Sequence, residues 1–378
     1  MEQLKFNNGK FTILSLGDLH EPAEIKDRDS RKRLEDMHNL VKMGILAFKP
    51  DLIVLLGDTC CDIGDHRTAE EYKEALDRIL KPVIDSGIPF CYVLGNHEHD
   101  TGIEKEIVKA YEQFPTCIGK NDETAPRGDF NTNLLVKSSD GGEDILNLWF
   151  FDSNNVCDDE SISKYDWVHR DQIEWYEKKE AEIRAAHGGR QLPSIVFQHI
   201  PVYEEYELLR EAKPHERPVA AQGHAKFSDK YYVLKDGAKG YLGEGPCSPC
   251  INCGQFDSWK KTGDVVGAFF GHDHLNDFTG YVDGIMLGQN KTSGFRAYTD
   301  GCRCLVRTIT IDENDPRNIK SDVHHFKELG LECHCLGPIE KRITDRQSIN
   351  MHIASYAAAG AAAAAGLGIA AKKLFGKK

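Results

Sequence analysis

Five short polar clusters each sit directly after a short apolar run, and this punctuation constrains the fold more than any other feature of the chain. They are Gly17-Asp18-Leu19-His20, Gly57-Asp58, Gly95-Asn96-His97-Glu98, Gln198-His199-Ile200-Pro201 and Gly271-His272-Asp273-His274. The runs ahead of them, Phe11 to Leu16, Asp51 to Leu56, Ile88 to Leu94, Ser194 to Gln198 and Val265 to Phe270, read as buried strands. Helical patterns fall between the first of these. Ser30 to Phe48 puts Leu34, Met37, Leu40 and Val41 on one face and stops at Lys49-Pro50. Ala69 to Leu80 is a second helix, stopped near Pro82. Strands alternating with helices predict βαβ units and a largely parallel sheet. Ligands of such sheets sit beyond the carboxyl ends of the strands, so the five clusters are expected to share one rim.

Further along, Phe130 to Val136 and Ile145 to Phe151 flank the turn cluster Ser138 to Gly142, the pattern of an antiparallel hairpin. Asp171 to Ala186 and Phe256 to Thr262 read as helices. Val202 to Cys253, rich in Glu, Pro, Gly and Lys, reads as a long surface excursion with a helix near its start. Short strands follow through Ile309. No repeat or clear linker divides the chain. A single catalytic domain is therefore expected over 1–345, followed by an Ala-rich tail over 346–378. In that tail Ile353 to Ala371 carries no charge, and Lys372, Lys373, Lys377 and Lys378 follow. A bilayer-spanning helix needs about 20 predominantly apolar residues. Two readings stay open: an exposed or loosely docked helix, or a weak membrane anchor with a lysine-rich flank.

Composition excludes several classes. Of 378 residues, 40% are apolar and 28% charged, which rules out a disordered or collagen-like chain. A net charge of −13 leaves no basic footprint for a nucleic-acid groove. Met1 to Lys10 lacks the charged-then-apolar pattern of a signal peptide. Twelve cysteines without an export signal point to reduced thiols in a cytoplasmic setting, with membrane association only if the tail inserts.

The clusters carry the chemistry. Asp18 and His20 lie two residues apart, so an extended strand end would put them on one face; the same holds for His272 and His274, with Asp273 pointing away. The preceding glycines permit the sharp turns that bring such side chains together. Asp, His and Asn donors suit Zn, Mn, Fe or Co, and the set is large enough for two ions sharing a carboxylate. Two divalent ions against Asp18, Asp58 and one hydroxide leave a local charge of about +1, which attracts phosphate despite the net charge of the chain.

The order D-x-H, G-D, G-N-H-E, H-x-P and G-H-x-H, from Asp18 to His274, resembles the calcineurin-like metallophosphoesterase superfamily. Gly57-Asp58, Val93 to Glu98 and Gly271 to Phe278 resemble its purple-acid-phosphatase-related subgroup. The resemblance implies a four-layer αββα sandwich, two mixed sheets flanked by helices. It implies one metal on Asp18, His20 and His274, a second on Asn96, His199 and His272, and Asp58 bridging. It implies that a metal-bridging hydroxide attacks the phosphorus of a phosphate ester. His97 would help protonate the leaving oxygen and Glu98 would orient His97. Purple acid phosphatases also carry a tyrosine ligand shortly after G-D. Here the run from Asp58 to Asp62 has none, so an obligate ferric centre is not expected. Cys60 and Cys61 occupy that stretch and are expected to pack.

Other polar residues have plainer readings. His38 and His66 lie in or near helices. His99 is placed to reach substrate or to serve structure. His215 and His224 fall in the excursion, where they bear on specificity. Arg296 is either a phosphate clamp or an ion-pair residue. Cys247, Cys250 and Cys253 form C-x-x-C-x-x-C, which begins a zinc or iron–sulfur site if Cys302, Cys304, Cys333 or Cys335 supplies a fourth ligand, and otherwise is packed thiol. The functional alternatives to a hydrolase are a phosphatase-fold scaffold and a cysteine-cluster redox protein.

Overall fold

A computed structural model describes residues 3–61, 67–338, 340–341 and 355–364. The strands of its two large sheets are β1 (Lys10–Leu16), β2 (Leu52–Leu55), β3 (Phe90–Tyr92), β4 (Thr132–Lys137), β5 (Asp144–Phe151), β6 (Ser194–Gln198), β7 (Val265–Phe270), β8 (Thr279–Val282), β9 (Ile285–Gln289), β10 (Leu305–Asp312) and β11 (Asp315–His325). The first sheet runs β11-β10-β1-β2-β3 and the second β8-β9-β7-β6-β5-β4. Both are mixed. β1, β2 and β3 are parallel, with β10 and β11 added antiparallel. β5, β6, β7 and β9 are parallel, with β4 and β8 antiparallel at the two edges.

The named helices are α1 (Arg28–Phe48), α2 (Ala69–Ile79), α3 (Lys81–Ser86), α4 (Asn96–His99), α5 (Glu104–Glu112), α6 (Arg170–Ala186) and α7 (Gln255–Thr262). Strand alternation decides which layer each side chain joins. On β5, Leu148 and Phe150 enter the core between the sheets, while Trp149 and Phe151 face a second core with Tyr176 of α6 and Trp259 of α7. The inner core continues beneath Met37 and Leu40 of α1 and Tyr111 of α5. The expected αββα sandwich is thus the architecture found.

Local chemistry sets the element ends. Asp27 caps α1 by accepting from the N–H groups of Asp29 and Ser30. Lys49 closes it in the left-handed region, and Pro50 bars continuation. Helix α2 ends at Ile79 with Leu80 as its cap, as expected, and Pro82 falls in the first turn of the separate short helix α3, where a missing N–H costs nothing.

Three features differ from expectation. The excursion carries its own antiparallel sheet of Leu209–Glu211, Ala221–Gln222 and Tyr231–Leu234. Helix α5 and the long edge strand β11 lie where no element was expected. Of the uncharged tail, 355–364 is helical with every residue exposed, and the rest lies outside the described residues. Among the described residues no helix is long and apolar enough to cross a membrane, so the anchor reading gains no support.

Candidate metal centre

The donors stand where β1, β2, β3, β6 and β7 end, on the rim shared by the two sheets. They reach it through unusual backbone rather than along extended strand ends, which corrects the expected geometry. Nine non-glycine residues among those described have positive φ, and Asp18 (47°), His20 (48°), Asp58 (49°) and His272 (74°) are four of them. Such conformations cost on the order of 1–3 kcal/mol each and persist where surrounding contacts over-determine them. Here the contacts are explicit. The His272 N–H donates to both Asp18 carboxylate oxygens at 3.1 Å, the His20 N–H to the Asp58 carbonyl at 2.9 Å, and the Thr292 hydroxyl to the Asp18 carbonyl at 2.6 Å. Gly57, at φ +86°, has the same role. A Cβ there would sit 2.7 Å from both the Gly95 nitrogen and His199 Nδ1.

The side chains form two groups of donors. Asp18, His20 and His274 bring one ligand atom each within 4.8 Å of one another, and so do Asp58, His199 and His272. Asp58 stands between them: its Oδ2 lies 3.4 Å from His20 Nε2 and 3.2 Å from His199 Nε2. His274 Nε2 is 3.6 Å from Asp18 Oδ1, and Asn96 Oδ1 is 3.1 Å from His199 Nε2. Asp273 turns away, accepting from the Cys247 N–H and the Asn276 amide. All seven expected donors therefore meet, and His272 and His274 part to opposite groups.

The donor chemistry fits two cations. His20 Nε2 and His272 Nε2 are buried with no hydrogen-bond partner. His199 Nδ1 donates to the Leu56 carbonyl at 2.6 Å and His274 Nδ1 to the Tyr298 carbonyl at 3.1 Å, which aims each Nε2 lone pair inward. Burial holds His272 far below the usual imidazole range and His274 down at about 3, so both present a free lone pair. Burial raises the Asp18 carboxyl. At Asp58 the His199 and His20 imidazoles outweigh burial and hold the carboxyl well down. His199, despite its burial, is pushed up to about 10 by Asp58. A cation binding there displaces a proton.

Glu98 requires a correction. It was expected to orient His97, but its buried carboxylate accepts from the N–H groups of Asp58, Thr59 and Gly95, each at 2.8 Å. It clamps two ligand loops together. The carboxylate that holds the His97 ring is Asp100, 2.9 Å from Nδ1. Replacing Glu98 by Gln sets an amide N–H2 against backbone donors. It is expected to lower stability by about 1–3 kcal/mol, with no change in the pH profile of turnover; urea unfolding alongside a pH–rate series checks both.

The remaining candidates separate cleanly. His99 bonds to Asp152 at 2.7 Å, and that carboxylate overrides burial and pushes it up to about 11, so it serves as the cation of a buried ion pair. His38 reaches the carbonyls of Arg78 and Ile79 and ties α1 to α2. His215 is exposed, and His66 lies outside the described residues. His224 stacks on Tyr165, whose ring meets His272 edge-on at 4.2 Å. Arg296 donates to Ser30 at the start of α1, and its charge bears on Glu21 and Asp27. Cys60 is packed, and Cys61 donates to the His20 carbonyl. Among the described residues, Cys247, Cys250 and Cys253 join no group of metal-capable donors. Sequence reasoning missed Asp100, Tyr165 and Tyr298, the last stacked on His274 at 4.2 Å. A generic aromatic or acid within a loop carries no signal before the loop is placed.

A four-layer sandwich with paired Asp/His groups at the carboxyl ends of its strands defines the metallophosphoesterase class. The chain belongs to the calcineurin-like phosphoesterase family, whose model matches residues 11–276. Strands β8 to β11 lie beyond that span yet complete both sheets. A curated relative named "Probable inactive purple acid phosphatase 14", from Arabidopsis thaliana, is 27% identical over 75% of this chain and 70% of its own length. "Phosphatase DCR2" of Saccharomyces cerevisiae is 24% identical over 72% of this chain and 45% of its own. A solved dimetal phosphatase from Danio rerio is 12% identical, covering 84% of this chain and 99% of that one, with a TM-score of 0.48.

Proposed function

We propose that the chain is a dinuclear metal-dependent hydrolase of phosphoric esters, its catalytic domain spanning 1–345. Asp18, His20 and His274 would hold one ion, Asn96, His199 and His272 the other, with Asp58 shared. The observation that carries this reading is Asp58 Oδ2 facing a histidine of each group, at 3.4 and 3.2 Å. Two bound cations of the Mn, Fe, Zn or Co class would polarise phosphoryl oxygens and acidify a water toward neutral pH. The residues of the chain supply the rest. Asp18 and Asp58 offset the cationic charge, and the Glu98 clamp holds the Asp58 loop in register with the Gly95–Asn96 loop. His97, with its side chain 46% exposed, reaches outward from the rim to meet an entering ester and protonate its leaving oxygen. Asp100 keeps the His97 ring turned for that transfer.

A second reading, a binding protein on the same fold, takes its support from relatives whose names carry "probable inactive". One experiment separates them. The purified full-length chain, loaded in turn with Mn, Zn, Fe or Co, is assayed on phosphomonoesters and phosphodiesters with metal analysis on the same sample. Turnover at about two ions per chain is expected. Two bound ions with no turnover on any ester would leave the scaffold reading standing and the hydrolase reading refuted.

A further inference from the structure

The downstream cysteines Cys333 and Cys335 group with Asp36 and not with C-x-x-C-x-x-C. Cys333 and Cys335, in the segment after β11, fold back onto α1 at Asp36, and Cys302 approaches from the turn before β10. Asp36, Cys333 and Cys335 each bring a ligand atom within 4.8 Å of one another. Cys333 Sγ lies 3.7 Å from Cys335 Sγ and 3.2 Å from Asp36 Oδ2. Tetrahedral zinc with Zn–S bonds of about 2.3 Å requires sulfur pairs roughly 3.8 Å apart, which is the spacing already present.

We propose that Asp36, Cys333 and Cys335, with Cys302 at the fourth position, form a structural zinc site separate from the Asp/His centre.

Three observations support it. Asp36 is fully buried in the middle of a helix, and its Oδ1 has no hydrogen-bond partner, while Oδ2 accepts from the His334 and Cys335 N–H groups at 2.7 and 2.8 Å. A buried carboxylate left half satisfied is costly, and a cation is the partner that removes the cost. Cys333 Sγ stands at the centre of the cluster, within 4.8 Å of ligand atoms of both Asp36 and Cys335 and in contact with Cys302, so one ion could reach all four side chains. No disulfide competes for these sulfurs: Cys302, Cys333 and Cys335 are free thiols. The ligands come from α1, from the turn before β10 and from the segment after β11, so the ion would staple the carboxyl-terminal strap of the domain to its first helix. That is the usual service of a closed zinc site.

The test uses the full-length chain, purified under reducing conditions, stripped with a chelator and refilled with Co²⁺. A thiolate-to-cobalt charge-transfer band in the near ultraviolet is expected, at one ion per chain. It should persist in Asp58→Asn, which disables the other centre, and vanish in the double variant Cys333→Ser, Cys335→Ser. Cys302→Ser should weaken binding at least tenfold. Titrating the unmodified zinc-loaded chain with an organomercurial should release one zinc, which keeps the test independent of how the variants fold. Absence of the cobalt band, no mercurial-released zinc, or a Cys302–Cys333 disulfide in the reduced preparation would each overturn the site.

Discussion

Replacing Asp58 by Asn is expected to strip both ions and abolish measurable turnover. Its Oδ2 serves the His20 side and the His199 side at once, while its Oδ1 accepts the His97 N–H at 2.9 Å. An amide has one carbonyl oxygen and no charge. It therefore cannot neutralise two cations, and its N–H2 group repels them. Loss of an outer hydrogen-bond partner of a ligand already costs roughly 10–100-fold in metal affinity, so loss of a shared ligand should exceed that. Metal content after dialysis, measured beside the circular dichroism of the same sample, gives the answer. Two retained ions with normal turnover would eliminate Asp58 as the shared ligand.

The His97→Ala variant should behave in the opposite way: turnover falls by about 10²–10⁴ while both ions stay. The reason is geometric. His97 supports the centre through its backbone N–H on Asp58, and alanine keeps that bond. Only the ring is lost, and the ring is held by Asp100 at the rim. Its nitrogen also lies within 4.8 Å of ligand atoms of His20 and Asp58, so metal analysis is the discriminating measurement. If the variant drops an ion, His97 is a ligand and its assignment as the acid is wrong. Asp100→Asn should give a smaller loss of turnover with both ions retained, because the His97 ring keeps its place and loses only the carboxylate that orients it.

The two outcomes also separate what each loop does. Asp58 and Glu98 belong to one hydrogen-bonded knot: the Glu98 carboxylate takes the N–H of Asp58, and the Asp58 carboxylate takes the N–H of His97. Gly95 is required inside this knot, because a Cβ there would collide with Asp58. Perturbing Glu98 should therefore read out in stability, and perturbing His97 in rate.

Apolar runs bounded by polar clusters were legible without coordinates because burial acts on contiguous residues. Leu52 to Leu55 and Val265 to Phe270 are short runs rich in β-branched or aromatic residues and buried on both faces, which suits a central strand. The clusters behind them were legible for the same reason, since strands that run parallel end on the same edge. Strand β11 was not legible. Its sequence, DPRNIKSDVHH, is polar and half exposed, and it is held mainly by pairing to β10. Such an edge strand is specified by its partner rather than by its own pattern.

What the sequence determined alone was therefore which residues stand at the rim: Asp18, His20, Asp58, Asn96, His97, His199, His272 and His274 follow their strands by covalent connection. Only the tertiary structure decided which of them meet. The left-handed turns at Asp18, Asp58 and His272, and the capture of Glu98 by the Asp58 loop that leaves the His97 ring to nearby Asp100, depend on hydrogen bonds between loops far apart in the chain; the parting of His272 from His274 depends on where those loops lie. Those partners are fixed by how two sheets pack, and no local propensity encodes that packing.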